Sequence, residues 1–328
     1  MIGFLDSKGF ELKKTFEDVH NKTAWVAELV TVAIVIHFWN QIKNQPAPFE
    51  FKSMQRFVQL SITSFAVIAV TSSFMVGYKL LHETPSKVPI ERLADFKDKA
   101  IAQTFEARMY VNSKGDTLFY RLKRPLNYQP GTKYPIVVCL HGGAGWGTDN
   151  IKQVQGSLPA VMLSNYLIRE QHPAFLFVPQ ISGAYSFGGV PNLEVIDTLV
   201  FDAMQSLEKE FNIDEKRRYV SGNSLGGYGT WHFIGTRPDL FAAGIPISGE
   251  GNPELANNMT QVAVWAFHGA KDVNVPVSGS RDAINAMKKV GGSPRYTEYP
   301  DNDHDIWMKV VGTPDLVEWL FAQKKESR

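Results

Sequence analysis

The sequence predicts an α/β fold with a mostly parallel sheet, for three reasons. Several apolar runs have the length of buried parallel strands, the clearest being YPIVVCL at 134–140. These runs lead into loops that are rich in glycine or in polar residues. The strand-like residues 218–220 continue through GNSLGG at 222–227 into a helix-like stretch, with a serine at the turn. In such a sheet the carboxyl ends of the strands share one edge, where ligands bind.

Length and composition allow one large α/β domain with an appendage. The chain has 328 residues, of which 44% are hydrophobic and 20% are charged, as is ordinary for a globular protein. The net charge of +1 provides no field for nucleic acid, so no nucleic-acid partner is expected. Cys139 is the only cysteine, and its place in an apolar run predicts a buried, unreactive thiol.

The remaining elements follow from periodicity and capping signals. Two alternating runs flank NSKGD at 112–116, a hairpin turn signal, so an antiparallel pair is expected before the parallel strands. Asn192 is predicted to cap a helix running to Phe211, and Thr313 with Pro314 to open the last helix. The other expected elements are a helix at 90–103, strands at 104–111 and 117–122, a partly helical stretch at 151–169, a strand at 174–179 and a last helix from 313 to about 324.

The amino-terminal part of the sequence predicts a membrane anchor. Residues 57–78 carry no charged side chain, a length that meets the roughly 20 residues of a transmembrane helix. Residues 23–42 contain Glu28 as their one charged residue and are a predicted first span. A buried helix is the alternative for the second segment. The expected domains are a polar segment at 1–22, a helical membrane hairpin at 23–81, a linker and helix at 82–103, and the α/β domain at 104–328.

The predicted hairpin makes the chain an integral membrane protein with the lipid bilayer as a partner. Glu28 and His37 are unusual on a lipid-facing surface, which favours packing against another membrane segment, either its own or that of a partner protein. Basic residues are denser on the two flanks of the hairpin than in its loop. This distribution favours the cytoplasmic or matrix side for the α/β domain.

Ser224 is the predicted nucleophile. It stands at the apex of a sharp turn from strand to helix, in which the two flanking glycines, Gly222 and Gly226, come close together for steric reasons. This is the G-x-S-x-G pattern of a nucleophile elbow. A glycine-rich turn before an ordinary helix is the alternative interpretation.

The donors for an oxyanion are predicted on both sides of this serine. One is the backbone N–H of Leu225. The strand at 134–140 ends in HGGAG at 141–145, where the N–H of Gly143 is the second predicted donor and Ala144 a near alternative. His141 is predicted to fix this loop by hydrogen bonds rather than to act in catalysis.

Two further strands deliver an acid and a histidine after the serine. The apolar run at 262–267 leads to Asp272, and the alternating run at 295–299 leads to His304. In the chain order Ser, Asp, His, we assign His304 as general base and then acid. Asp272 is the carboxylate that orients the imidazole.

Two alternatives to this assignment stay open. Glu250, which follows an apolar strand at 244–248, could be the acid in place of Asp272. Three aspartates surround His304 and could form a cation site, although such sites do not generally centre on a histidine; they are Asp301, Asp303 and Asp305. The sequence shows no metal-ligand spacing, dinucleotide fingerprint or phosphate loop, so no metal and no cofactor are expected.

Aromatic residues of the loops above the sheet are hypothesised to form the substrate pocket. They are Trp146 after the oxyanion glycines, Tyr185 and Phe187 after the strand at 174–179, and Trp307 after the histidine. Each could stack on a sugar or an aromatic acid.

Residues 105–323 resemble an α/β-hydrolase of the esterase and predicted-peptidase type, related to feruloyl esterases, poly(3-hydroxybutyrate) depolymerases and dienelactone hydrolases. The resemblance is carried by 134–145, GNSLGGYGTW at 222–231, PDLFAA at 238–243, WAFHGAKD at 265–272 and 296–304. It implies helices on both faces of the sheet and hydrolysis of a small acyl ester through an acyl-enzyme. A peptidase or acyltransferase with the same three residues remains an alternative, as does an accessory subunit of a membrane assembly.

Overall fold

The computed structural model describes residues 99–326. The predicted polar segment at 1–22 and membrane hairpin at 23–81 lie outside the described residues, as does the start of the helix predicted at 90–103. Residues 99–103, which end that helix, are helical.

An eight-stranded sheet forms the centre of the described part, with the strand order β1-β2-β4-β3-β7-β8-β9-β10. The pairs β1–β2 and β2–β4 are antiparallel, and every other pair of this sheet is parallel. Strands β5 and β6 form a separate short pair. The strands are β1 Glu106–Val111, β2 Thr117–Lys123, β3 Tyr134–Leu140, β4 Phe175–Pro179, β5 Tyr185–Ser186, β6 Glu194–Val195, β7 Ile213–Asn223, β8 Ala243–Ile247, β9 Ala263–Gly269 and β10 Arg295–Tyr299.

Helices cover both faces of this sheet. Alternate side chains of β3 enter opposite hydrophobic clusters, because successive residues of a strand point to opposite faces: Ile136 and Val138 lie in one cluster, Val137 and Cys139 in the other. The helices are α1 Lys152–Gln155, α2 Leu158–Leu163, α3 Tyr166–Gln171, α4 Asp197–Glu210, α5 Leu225–Thr236, α6 Ala256–Met259, α7 Val277–Lys289, α8 Trp307–Val311 and α9 Leu316–Ala322. The first cluster contains residues of α4 to α7, and the second contains residues of α1, α2, α8 and α9.

The predicted antiparallel hairpin at the sheet edge is confirmed. The Asn112 N–H donates to the Asp116 carbonyl oxygen over 3.0 Å. Asn112 Oδ1 accepts from the N–H groups of Lys114 and Asp116, both over 2.9 Å. The asparagine side chain thus satisfies the turn backbone, which is the reason this residue type marks such turns.

Both predicted helix caps are wrong. Helix α4 begins at Asp197, and Asn192 instead adopts a left-handed conformation with φ 62°. Helix α9 begins at Leu316, where Asp315 is the left-handed residue with φ 58°. Thr313 Oγ1 donates to the Lys309 carbonyl oxygen and so closes the preceding helix. Asparagine, aspartate and threonine suit turns as well as caps, since their side chains bond locally in either place.

Candidate active site

Ser224 lies at a strained turn between β7 and α5, with φ 55° and ψ −116°. A Cβ atom at Gly222 would lie 2.5 Å from the Gly226 carbonyl oxygen, and one at Gly226 would lie 2.5 Å from the Leu140 carbonyl oxygen. Only glycine fits at either position. Backbone strain of this kind costs about 1–3 kcal/mol and persists only where the surroundings enforce it.

The structure brings Ser224, His304 and Asp272 into one hydrogen-bonded line. His304 Nε2 lies 2.9 Å from Ser224 Oγ, and His304 Nδ1 lies 2.7 Å from Asp272 Oδ2. Asp272 Oδ1 accepts from the N–H groups of Asn274 and Val275, both over 2.9 Å. The Asp272 side chain is fully buried, whereas 18% of the His304 side chain is exposed. Nδ1–H of His304 therefore faces the carboxylate, and Nε2 is free to accept the serine proton.

The loop that carries His304 is held by backbone contacts with its neighbours. Ser248 Oγ donates to the His304 carbonyl oxygen over 3.2 Å. Ser248 also adopts a left-handed conformation, with φ 46°. A Cβ at Gly269 would lie 2.0 Å from the Asp303 carbonyl oxygen, so the loop packs directly on the end of β9. No local pattern in the sequence marks Ser248 for this role.

The alternative acid, Glu250, lies elsewhere. The Tyr228 hydroxyl donates to Glu250 Oε2 over 3.3 Å, and Glu250 is exposed. Burial, and then the neighbouring Glu250 carboxylate, raise the pKa of Tyr228 to about 12. Asp272, rather than Glu250, is the carboxylate that contacts His304.

Two of the three aspartates near His304, Asp301 and Asp303, have other partners for their side chains. Asp301 pairs with Lys271 at 3.1 Å, and Asp303 Oδ1 accepts from the Asp305 N–H over 3.2 Å. Within residues 99–326, no group of three or more His, Cys, Asp or Glu side chains could hold a metal ion.

The predicted oxyanion loop lies beside the serine. Residues Gly143–Gly145 form a 3-10 turn directly after β3, and a Cβ at Gly142 would lie 3.6 Å from Ser224 Cβ. Among the turn, loop and cap hydrogen bonds between backbone groups of the described residues, none uses the N–H of Gly143 or of Leu225 as donor. The Leu225 N–H belongs to the first turn of α5, where N–H groups have no partner within the helix.

His141 has the structural role that the sequence predicts. Its Nδ1 lies 2.7 Å from the Gly142 carbonyl oxygen, and its Nε2 lies 3.2 Å from the Ile181 nitrogen. Burial lowers the pKa of His141 to about 4, so the ring is neutral near pH 7. A neutral ring donates at Nδ1 and accepts at Nε2, and so ties the oxyanion loop to the segment after β4.

We expect the folding stability to fall as the pH drops below about 6.5, with His141 as one cause. The folded-state pKa of His141 is about 4, below the ordinary value of 6.5. The unfolded chain therefore binds this proton first, and the free energy of unfolding decreases by up to about 3 kcal/mol as the pH reaches 4. Urea unfolding at pH 7 and pH 5 measures the loss. His141→Gln should show a smaller loss, and an equal loss in both proteins would contradict the prediction.

The four predicted pocket aromatics differ in burial and in the residues they contact. A Cβ at Gly143 would lie 3.6 Å from the Trp146 ring, and 37% of Trp146 is exposed. The Trp307 ring meets the His304 ring edge to face, with centroids 5.6 Å apart. Tyr185 is partly buried against the hydrophobic core, and Phe187 is fully buried. Trp146 therefore lies beside Gly143 and Trp307 beside His304, while Phe187 belongs to the core.

Two polar residues that sequence analysis did not assign hold the loops in place. Asn223 is buried, and its Oδ1 accepts from the Leu158 N–H over 2.9 Å. Gln180 Nε2 donates to Asp149 Oδ1 over 2.8 Å and to the Gly145 carbonyl oxygen over 3.3 Å. Asn223 directly precedes Ser224 in the elbow, so its place in the sequence could have indicated a role at the site. Nothing in the sequence indicated a role for Gln180, because its partners are distant along the chain.

Comparisons with known proteins find relatives that are named as esterases, and the chain spans less than two thirds of the length of the solved esterase that it matches. A solved structure entitled "Crystal Structure of a Thermostable Esterase" is 35% identical, with a TM-score of 0.64, over 69% of this chain and 64% of that chain. "Probable feruloyl esterase C" of Aspergillus niger is 25% identical over 58% of this chain and 68% of that protein. An "Uncharacterized secreted protein" of Arthroderma benhamiae is 26% identical over 31% of this chain and 14% of that protein. No protein-family model matches the sequence.

The prediction of an integral membrane protein is wrong. One of these relatives is a secreted protein by name, and no helix within residues 99–326 is long and apolar enough to cross a bilayer. The prediction rested on the absence of charge over residues 57–78. A long stretch without charge is typical of a membrane span but also occurs in segments that are buried in protein. The bilayer and a membrane protein partner have no support among the relatives.

Three findings indicate the same fold: the sheet order, the strand–serine–helix turn and the solved structural relative. The chain has the α/β-hydrolase fold, as its sheet order and its likeness to the solved esterase structure show.

Proposed function

We propose that this protein is a serine esterase that cleaves carboxylic esters through an acyl-enzyme. The observation that carries the proposal is the line of hydrogen bonds from Asp272 through His304 to Ser224, at 2.7 and 2.9 Å. Esterases among the relatives support the same reaction type. The three side chains come from loops after three different strands, which is how this fold assembles a site for nucleophilic catalysis.

Each proposed step uses a group at a stated atom. Ser224 Oγ attacks the ester carbonyl carbon while its proton passes to His304 Nε2, and the N–H groups of Gly143 and Leu225 stabilise the oxyanion. The tetrahedral intermediate then breaks the ester C–O bond, and His304 gives its proton to the leaving alcohol. Water attacks the acyl-enzyme with His304 again as base, which releases the acid and restores the serine hydroxyl. Asp272 stabilises the imidazolium in both halves.

An aromatic acyl group is the substrate feature that the site favours. Trp146 lies over Gly143 and Trp307 contacts His304, so an aromatic ring attached to the carbonyl would meet an aromatic side chain near the oxyanion or near the base. Tyr185 is a third proposed contact, from the loop after β4. The relative named as a probable feruloyl esterase supports this class of acid.

A fluorophosphonate probe tests the proposal on the full-length protein. We expect covalent labelling of wild type that maps to Ser224 and is absent in Ser224→Ala. Ser221→Ala is the matched control, because Ser221 is a buried serine of the same strand whose Oγ donates to the Ile245 carbonyl oxygen. It should label like wild type.

A paired substrate assay separates an esterase from a peptidase. Methyl ferulate and methyl acetate are compared with the matched amides, and we expect ester hydrolysis with a preference for the aromatic acid. Folded wild-type protein that neither labels nor cleaves esters would overturn the proposal. Amide cleavage as fast as ester cleavage would favour a peptidase with the same three residues.

A further inference from the structure

A second histidine contacts the carboxylate of the proposed catalytic line and has no part in the mechanism above. His268 is fully buried at the end of β9, four residues before Asp272. Its Nε2 lies 3.1 Å from Asp272 Oδ2 and 3.0 Å from the Val275 carbonyl oxygen. On the other side of the ring, Nδ1 lies 2.8 Å from Ser280 Oγ.

These partners settle where the His268 proton is. Both neighbours of Nε2 are acceptors, so Nε2 carries the hydrogen. Burial lowers the pKa of His268, which keeps the ring neutral and leaves Nδ1 as an acceptor facing Ser280 Oγ. The Gly249 carbonyl oxygen is a second acceptor for the single Ser280 hydroxyl proton, 2.9 Å from Oγ, so His268 Nδ1 and this carbonyl share it. His268 is thereby connected to α7 and to the loop after β8.

Asp272 therefore receives donors on both oxygens, but the two oxygens differ. Oδ1 accepts from two backbone N–H groups, those of Asn274 and Val275. Oδ2 accepts from two imidazoles, with His304 Nδ1 at 2.7 Å and His268 Nε2 at 3.1 Å. The oxygen that orients His304 is thus shared with His268.

We infer that His268 is a positioning residue of the proposed hydrolase, which fixes Asp272 Oδ2 in line with His304 Nδ1 and takes part of that oxygen's negative charge. The inference rests on the proposed function. Without His268, one oxygen of the carboxylate is held by the backbone, while the other has only His304, a side chain that must itself be held. With His268, each oxygen of the Asp272 carboxylate has a hydrogen-bond donor other than His304.

The other ionisable groups near His268 come from three neighbouring elements. Glu298 on β10 is its partner in the strand register, and this carboxylate is held by a bidentate pair with Arg281 of α7 at 2.7 and 2.8 Å. Tyr228 of α5 lies close enough to Asp272 for that charge to raise its pKa. All of these groups are retained when only residue 268 is replaced, and Asp272 Oδ2 is the atom that contacts both His268 and His304.

Two substitutions of His268 and one control test the inference. His268→Leu removes both ring nitrogens, while His268→Gln keeps an N–H that can reach Oδ2. Val264→Ala, a buried change in the same strand, controls for general loosening of the core. We measure the pKa of His304 by NMR titration of the full-length proteins, together with kcat and KM for an activated ester across pH.

In His268→Leu we expect the pKa of His304 to rise by about half a pH unit or more, because all the charge on Oδ2 then acts on His304. The acid limb of the kcat/KM profile should move to higher pH in parallel. We expect kcat to fall by about 10- to 100-fold with KM within about twofold, since a misplaced carboxylate affects the reaction step rather than binding. His268→Gln should restore the titration and most of kcat, and Val264→Ala should leave both near wild type.

The NMR titration keeps this test separate from that of the esterase activity. An unchanged pKa of His304 in His268→Leu would overturn the inference, and so would an equal change in Val264→Ala. If wild type neither labels with a fluorophosphonate nor cleaves esters, the proposed function fails. A shifted titration in His268→Leu would then still establish that His268 acts on His304 through Asp272.

Discussion

Replacement of Asp272 by asparagine is expected to lower kcat for ester hydrolysis by about 10⁴-fold, the scale seen when a triad carboxylate is changed in this way. The backbone N–H groups of Asn274 and Val275 hold Oδ1, so the amide oxygen of the variant takes that position. The amide nitrogen then faces His304 Nδ1. Two donors cannot share this contact, so the ring adopts its other tautomer and Nε2 can no longer accept the serine proton.

Steady-state kinetics on a soluble activated ester, with circular dichroism as a check on folding, measure the Asp272→Asn effect. Asp301→Asn is the matched control, because Asp301 lies three residues before His304 and its side chain is 88% exposed in a pair with Lys271. It should keep wild-type kcat. The assignment is contradicted if Asp272→Asn stays within tenfold of wild type while Glu250→Gln loses activity.

Gly226→Ala is expected to destabilise the fold by about 3 kcal/mol and to lower kcat for ester hydrolysis by about 100-fold or more. A Cβ at this position would lie 2.5 Å from the Leu140 carbonyl oxygen and 2.9 Å from that of His141. Both atoms are backbone, so no side-chain rotation relieves the contact. Either α5, which carries Leu225, or the end of β3, which leads to Gly143, must move. A displacement of about 1 Å at such groups lowers the reaction rate by roughly 100-fold.

Gly131→Ala is the control for this change, because a Cβ there has no neighbour within 4 Å and the residue has no positive φ. Its effect on the free energy of unfolding should stay within about 0.5 kcal/mol. Urea unfolding compares the two variants with wild type. A Gly226→Ala protein as stable and as active as wild type would show that the elbow tolerates a side chain, against the steric argument.

The sequence was most informative where one physical constraint dominates a stretch. Strand β3 begins and ends where the continuous apolar run does, because a strand buried on both faces tolerates no polar side chain. Strand β10 also matches its predicted range, 295–299. The grouping of Ser224, Asp272 and His304 was predicted from topology, since residues that follow parallel strands meet at one sheet edge.

Sequence analysis failed where the decisive partner is remote or where one residue type has several uses. Asn192 and Thr313 have the chemistry of a cap, yet they serve a left-handed turn and a helix end. The contacts of His268 with Ser280 and of Ser248 with the His304 backbone depend on how strands and loops meet in space. No local pattern encodes such contacts.

The sheet order also determines when in folding the site can exist. Gly143, Ser224, Asp272 and His304 follow β3, β7, β9 and β10, which meet only after long stretches of intervening chain have been closed into loops. Pairings between segments so far apart in sequence are slow to form, because chain entropy is lost before contacts compensate for it. The proposed catalytic arrangement is thus absent from any partly collapsed chain that lacks the β7–β10 half of the sheet. During refolding, the return of hydrolysis would therefore report when the last strands pair. The far-ultraviolet circular dichroism signal would report the earlier formation of helices.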